Sequence, residues 1–414
     1  MKDKIPHKIN NNIYRVLATQ FLTAFADNAI LFTAITIIMQ QVEPGNWYIP
    51  ALQASFLIAF VLLAPWVGRL ADSRPKPHIL FGANTVKAFG AGLLFLNIEP
   101  LIAYAIIGLG AAAYSPAKYG ILPEMVDENT LVKANGWIEG STILAILSGT
   151  VVGAALSEHS ISIALFTIIT LYIISALIAL TIRHNVIVGV KTENALGNFH
   201  AQMKSLLATP RARFSTLGVS LFWAAATVLR VLLIAWAPAV LFIYSTTDIA
   251  MLTMAVAIGI AFGALLVPRL IPLAYLRRAR LAAYAMGIVI ILLATVDNIW
   301  VARFALFLAG TCGGLFVVPI NAALQEIGHK SIGSGGAVAI QNFFENLAML
   351  TATGIYTIVA GIGVDPVVTM MWLGALVIIA TTIVSWRLPK DTGELFDNSP
   401  DKQMTSQEIK SPGD

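Results

Sequence analysis

Residues 13–40 read IYRVLATQFLTAFADNAILFTAITIIMQ. The run is long enough to cross a bilayer as one helix, which takes about 20 apolar residues. It holds a single acid, Asp27, at its middle. A charge at the centre of a membrane helix costs at least ~2.5–3.5 kcal/mol on insertion scales, so it implies a partner, a wet cavity or a function. The run is far longer than the ~10-residue alternating strands of a membrane barrel. It follows a polar, basic stretch, Met1–Asn12, and has no small-residue cleavage pattern, so it reads as a retained span rather than a removed signal peptide.

Eleven runs of the same kind follow. Together they predict spans over 13–40, 48–70, 78–97, 100–122, 131–156, 161–182, 214–244, 248–268, 281–297, 300–325, 333–361 and 364–387. Composition agrees: of 414 residues, 57% are hydrophobic and 12% charged, about half the ~25% of a soluble domain. The mean hydropathy is +0.79. Twelve spans account for about 240 residues and leave only short loops. A soluble globular enzyme, a disordered chain and a nucleic-acid binder are excluded. The one cysteine, Cys312, and six scattered histidines form no metal pattern, and no Walker-type phosphate loop is present. Neither a cofactor nor ATP is therefore expected.

The formal net charge of +4 is unevenly placed. Lys2, Lys4, Lys8, Arg69, Arg74, Lys76, Arg183, Lys191, Lys204, Arg211, Arg213, Arg269, Arg277, Arg278, Arg280, Lys330 and Lys390 fall on one set of loops and ends. Glu43, Glu99, Glu158, Asp248, Asp297 and Asp365 fall on the alternate set, with Arg303 the exception. Cytoplasmic loops collect Lys and Arg, so both termini are expected in the cytoplasm.

The longest internal loop, 183–213, divides the chain into an N-terminal lobe, 1–182, and a C-terminal lobe, 214–388. A polar tail, 389–414, is expected to be disordered. The lobes repeat a pattern. Tyr114-Ser115-Pro116 parallels Val317-Val318-Pro319, and Glu139 and Glu345 follow the two prolines at similar spacing. The expected fold is an all-α membrane protein with twelve transmembrane helices in two pseudo-symmetric six-helix lobes around a cavity.

Six charges lie inside the spans: Asp27, Lys87, Lys118, Glu139, Arg230 and Glu345. Gln20, Thr23 and Asp27 share one helix face, as do Trp223, Thr227 and Arg230. At 1.5 Å per residue, Asp27 lies roughly 20 Å and Arg230 roughly 24 Å from the inner surface. An ion pair between them across the cavity in an outward-closed state is the expectation, with helix stapling as the alternative. Lys118 and Glu139 are expected to pair within the first lobe. Glu345 is expected to meet Lys118 across the lobes when the inner gate closes. Lys87 lies in span three, which usually packs on the outside of the bundle, and snorkelling or packing is the expectation there. Trp47, Tyr48 and Trp300 read as interface anchors. Gly108–Gly110, Gly259–Gly263 and Gly310–Gly314 allow close helix contact.

The layout resembles the major facilitator superfamily, and the loop GRLADSRPK (68–76) is loosely similar to that superfamily's Gly-x-x-x-Asp-Arg-x-Gly-Arg signature, without its second glycine. A more specific resemblance lies in QFLTAFADNA (20–29), GAAAYSPAKYGILPE (110–124), LVKANGWIEGSTILAIL (131–147), SLFWAAATVLRVLL (220–233), GGLFVVPINAALQE (313–326) and AVAIQNFFENLAML (337–350). These stretches resemble the bacterial lysophospholipid transporter family, LplT, from about residue 14 to 388, with Ala26 in place of a glycine.

The resemblance implies movement of lysophosphatidylethanolamine and lysophosphatidylglycerol from the outer to the inner leaflet of the bacterial inner membrane by alternating access. It implies delivery to a cytoplasmic acyltransferase coupled to an acyl-carrier-protein synthetase, and no requirement for ATP. It places Asp27, Lys118, Glu139, Arg230 and Glu345 in the charged cavity and gate, and Asn28, Asn321 and Gln341 join them as candidate substrate-binding or gating residues. Superfamily analogy favours a monomer. By chemistry alone, Lys118 or Arg230 suits a phosphate, and Asp27, Glu139 or Glu345 suits an ammonium. Two alternatives stay open: a proton-driven exporter of amphiphilic drugs in which Asp27 or Glu345 titrates, and a non-transporting membrane scaffold docked to the acyltransferase.

Overall fold

In hydrocarbon every backbone N–H and C=O must be satisfied within the protein, so each apolar run folds into a helix. The computed structural model describes residues 11–40, 45–125, 128–183, 195–271, 273–331 and 334–386. The N-terminal lysines, Glu43, Lys191, Lys390 and the tail 389–414 lie outside them, as does the side chain of Lys330.

The helices are α1 (Asn11–Met39), α2 (Tyr48–Ser73), α3 (Lys76–Phe95), α4 (Pro100–Met125), α5 (Glu128–His159), α6 (Ile161–Leu180), α7 (Ala195–Leu206), α8 (Pro210–Trp236), α9 (Thr246–Leu270), α10 (Ala279–Leu293), α11 (Ile299–Ser331), α12 (Ser334–Gly361) and α13 (Pro366–Ser385). Their starts follow local chemistry. Ser160, Thr209, Ser245 and Asp365 cap α6, α8, α9 and α13 with side-chain oxygens, and proline opens α8 and α13. Among the described residues, ten helices are long and apolar enough to cross a membrane. The other two long elements are α3, which buries Lys76, Asn84 and Lys87, and α10, which has 15 residues.

Two boundaries differ from expectation. The span expected over 214–244 leaves α-helical geometry after Trp236. Ala237–Leu241 forms a π-helical turn, and Phe242 adopts a left-handed conformation with φ 56°. Pro238 lacks the N–H that an α-helix would need there. The second difference is α7, which lies inside the expected loop 183–213.

The packing scheme repeats. In the first half α1 packs on α5 and α6, α2 on α4, and α3 on α4 and α6. In the second half α8 packs on α12 and α13, α9 on α11, and α10 on α11 and α13. The result is two pseudo-symmetric six-helix bundles, which meet along α2–α12 and α5–α9. Glycines set the closest approach. A Cβ at Gly259 would lie 2.1 Å from the Phe307 carbonyl oxygen, and one at Gly310 would lie 2.1 Å from that of Val256. The α9–α11 contact is therefore backbone against backbone. Below, the terminal face is the end where α1 begins and α13 finishes. The opposite face carries Met39, Glu158 and Thr246.

Candidate functional site

Asp27 on α1 faces into its own bundle. Its carboxylate accepts from Lys87 Nζ on α3 at 2.8 and 2.9 Å and from the Tyr172 hydroxyl on α6 at 2.8 Å. The Lys87 side chain is 1% exposed and that of Asp27 25%. The ammonium also lies 4.8 Å from the ring centroid of Tyr114 and 5.9 Å from that of Tyr172. Its stem passes Gly110 on α4, where a Cβ would stand 2.7 Å from Lys87 Cγ. A buried ion pair holds only when further contacts satisfy both charges, and the phenol and the two rings supply them here.

One turn nearer the terminal face the polar layer continues. Thr23 donates to Asn84 Oδ1 at 3.2 Å and shares a 2.8 Å hydrogen bond with Ser175. Asn84 Nδ2 donates to Ser175 Oγ at 3.0 Å, and Ser175 donates to the Thr19 carbonyl at 2.9 Å. Gln20 donates to Thr142 on α5 at 2.8 Å. The face carrying Gln20, Thr23 and Asp27 thus ties α1 to α3, α5 and α6.

Two expectations are corrected by these contacts. Asp27 does not pair with Arg230, because a nearer cation in the same lobe takes both its oxygens. Lys87 packs but does not snorkel, because the α3 face carrying Asn84 and Lys87 turns inward between α4 and α6.

The link between lobes falls to the next residue. Asn28 points about 100° round α1 from Asp27, and its Oδ1 accepts from Arg230 Nη2 on α8 at 3.1 Å. The guanidinium carbon lies 5.5 Å from the ring centroid of Phe32. Arg230 Nε is buried and has no hydrogen-bond partner. Among the described residues no carboxylate pairs with Arg230. It is a half-buried cation held at the lobe interface by an amide and a ring.

The remaining candidates lie nearer the terminal face. Gln341 Nε2 donates to Asn321 Oδ1 at 2.6 Å and to Glu345 Oε1 at 2.7 Å, so these three come together on α11 and α12. Glu345 is 8% exposed. Its described hydrogen bond comes from its own helix, which departs from the expected pairing with Lys118. Lys118 is buried. The Glu139 side chain, and with it the expected Lys118–Glu139 pair, lies outside the described residues. Between the lobes α2, α4 and α12 border a small crevice of about 30 Å³ lined by Phe60, Ser115, Pro116, Phe343 and Asn346 among others. Among the described side chains, none of Asp27, Asn28, Lys118, Arg230, Asn321, Gln341 and Glu345 lines it.

At the opposite face hydroxyls and one acid join α1, α5 and α9. Thr36 shares a 2.9 Å bond with Ser157 and donates to Thr246 at 3.2 Å. Glu158 accepts from the backbone N–H of Thr247 at 3.0 Å and from its hydroxyl. An acid at the first turn of α9 also suits the helix dipole. The sequence reading did not single out Tyr172, Ser175 or the Glu158–Thr247 contact. A signal existed for α3 alone, where Asn84, Lys87 and Ala91 recur at i, i+3 and i+7 opposite Thr85 and Phe89.

A multi-pass protein of twelve helices in two matched bundles, with polar side chains bridging them, has the architecture of a secondary membrane transporter. Comparison with known proteins narrows this. The profile of the Major Facilitator Superfamily matches residues 16–353. The lysophospholipid transporter LplT of Photorhabdus laumondii is 42% identical over 374 residues, covering 89% of this chain and 93% of that protein. LplT of Klebsiella pneumoniae is 38% identical over 379 residues, covering 91% and 95%. Among solved structures, a D323A mutant of the nucleoside transporter NupG superposes with a TM-score of 0.73 at 14% identity, covering 92% of this chain and 100% of that one. The fucose:proton symporter FucP of E. coli gives 0.62 at 15%, covering 91% and 98%. These two likenesses concern the fold alone. The chain belongs to the major facilitator superfamily and, within it, to the LplT family, which is a family of transporters.

Proposed function

We propose that this protein carries lysophospholipids of the phosphoethanolamine and phosphoglycerol type from the outer to the inner leaflet of a bacterial inner membrane by alternating access. The delivered lipid is re-acylated by a cytoplasmic acyltransferase coupled to an acyl-carrier-protein synthetase. The terminal face is the cytoplasmic one, in keeping with its basic loops, and the working unit is a monomer whose two lobes rock about the interface. The observation that carries this reading is Arg230, a cation at the lobe interface without a carboxylate partner among the described residues. A guanidinium offers two parallel hydrogen bonds to a phosphate and keeps its charge at any working pH. Asn28 hands the headgroup between lobes, and Asn321, Gln341, Glu345, Lys118 and Glu139 form the gate nearer the cytoplasm. The names of the relatives supply the lipid class.

The test is uptake of labelled lysophosphatidylethanolamine by proteoliposomes, with and without imposed ion gradients. Transport independent of a gradient supports the reading, and no lysolipid movement by purified protein contradicts it. Glu345 favours a second reading. A buried acid whose described partner is an amide is a candidate proton carrier, as a proton-coupled exporter of amphiphiles would need. Collapse of transport on addition of a protonophore would select that reading.

A further inference from the structure

The helix α12 carries polar side chains along two edges one residue apart. Gln341 and Glu345 join Asn321 of α11. Asn342 and Asn346, each about 100° further round the helix, line the small crevice between the lobes. Ser115 on α4 lines it from the first lobe. Among the described residues bordering the crevice none is charged, and the rest of its wall is apolar, with Phe60 and Phe343 the largest members. Asn346 is 8% exposed. Its Nδ2 donates to the Asn342 carbonyl at 2.7 Å. Among the described residues nothing donates to its Oδ1, and neither the Asn342 side-chain amide nor the Ser115 hydroxyl makes a hydrogen bond. A buried polar atom without a partner is costly, so the crevice suits a guest that both donates and accepts. Its volume of about 30 Å³ takes a group on the scale of one water molecule and not an acyl chain. A phosphate or an ammonium would meet no opposite charge there, whereas a neutral hydroxyl would find partners on both lobes.

We propose that Ser115, Asn342 and Asn346 form a subsite for the free glycerol hydroxyl of a lysolipid as the cargo passes between the lobes. The proposal rests on the functional reading above and adds substrate-contacting residues to it. The hydroxyl donates to Asn346 Oδ1 and accepts from the Asn342 amide or the Ser115 hydroxyl. In a diacyl lipid the same oxygen is esterified. It then has no proton to donate, and the added chain exceeds the space. The subsite thereby recognises the group that a one-chain lipid has and a two-chain lipid lacks.

The test measures equilibrium binding of lysophosphatidylethanolamine and of its 2-deoxy analogue, alike in chain and headgroup, to the purified full-length protein. The wild type binds the hydroxyl-bearing lipid about five- to tenfold more tightly, the scale of one neutral hydrogen bond. Asn346→Leu, close to asparagine in size, brings lysophosphatidylethanolamine down to the affinity of the analogue and leaves the analogue unchanged. An equal loss for both lipids marks a purely structural role and overturns the proposal, as does a preference that survives Asn346→Leu at its wild-type size. If Asn346→Leu does not fold, Asn342→Leu read in the same way decides. Equal binding of the two lipids by the wild type overturns the subsite and leaves the lysolipid reading standing. Binding of neither overturns both.

Discussion

A guanidinium between two helix bundles must be compensated by something, and Arg230 meets an amide and an aromatic ring. Arg230→Ala should therefore lower lysolipid uptake in spheroplasts at least tenfold with expression intact, and Arg230→Lys should recover only part of it, because an ammonium lacks the planar fork. Asp27 behaves differently. Its removal leaves Lys87 buried without its carboxylate, and breaking a buried pair costs on the order of 3 kcal/mol or more. Asp27→Ala should lower both uptake and the melting temperature in detergent, and an unchanged melting temperature would contradict the buried-pair description. These residues also show where sequence reading stops. The chain pointed to Asp27 and Arg230 as charges in the membrane, since few other reasons place them there. It did not show that Lys87 faces inward. Helical periodicity defines a face, but it does not say which neighbour that face meets, and a four-carbon stem lets a lysine on a peripheral helix reach across α4 and α6.

Helix positions and most ends were legible, because apolar run length and capping residues decide them locally. The π-helical turn after Trp236 and the helix α7 were not. The first depends on how the backbone accommodates Pro238, and α7 owes its place to tertiary contacts. Phe199 of α7 meets Phe343 of α12 edge to face at 5.3 Å, and Met203 packs with Leu324 and Ile340. Glycine packing gives a prediction at this scale. Gly310→Leu drives a side chain into the backbone of α9 and should abolish accumulation of folded protein, read by size-exclusion elution of a fluorescent fusion. A monodisperse, wild-type-like peak would refute the close contact. At the opposite face Glu158→Gln weakens the tie from α5 to α9. Gln keeps an acceptor and loses only the charge, a difference of about 1 kcal/mol, so the open population at that face should rise several-fold, seen as faster thiol labelling of Thr36→Cys. Labelling at the wild-type rate would show that the contact does not hold the lobes.

For the whole molecule, the two bundles repeat one packing scheme but not one set of charges. The first bundle closes its own ion pair, Asp27–Lys87, while the second presents Arg230 to the interface. That asymmetry suits a carrier whose cargo has one charged end and one long chain. Under the proposed alternating access, rocking of the lobes would change what Arg230 can touch, and a state change needs differential contacts of a few kcal/mol between the two arrangements. The most direct test is the rate at which proteoliposomes take up labelled lysophosphatidylglycerol with wild-type protein and with Arg230→Gln of matched elution profile. The account predicts uptake by the wild type and a rate at least tenfold lower for the variant. Equal rates would contradict the claim that a guanidinium between the lobes carries the phosphate across.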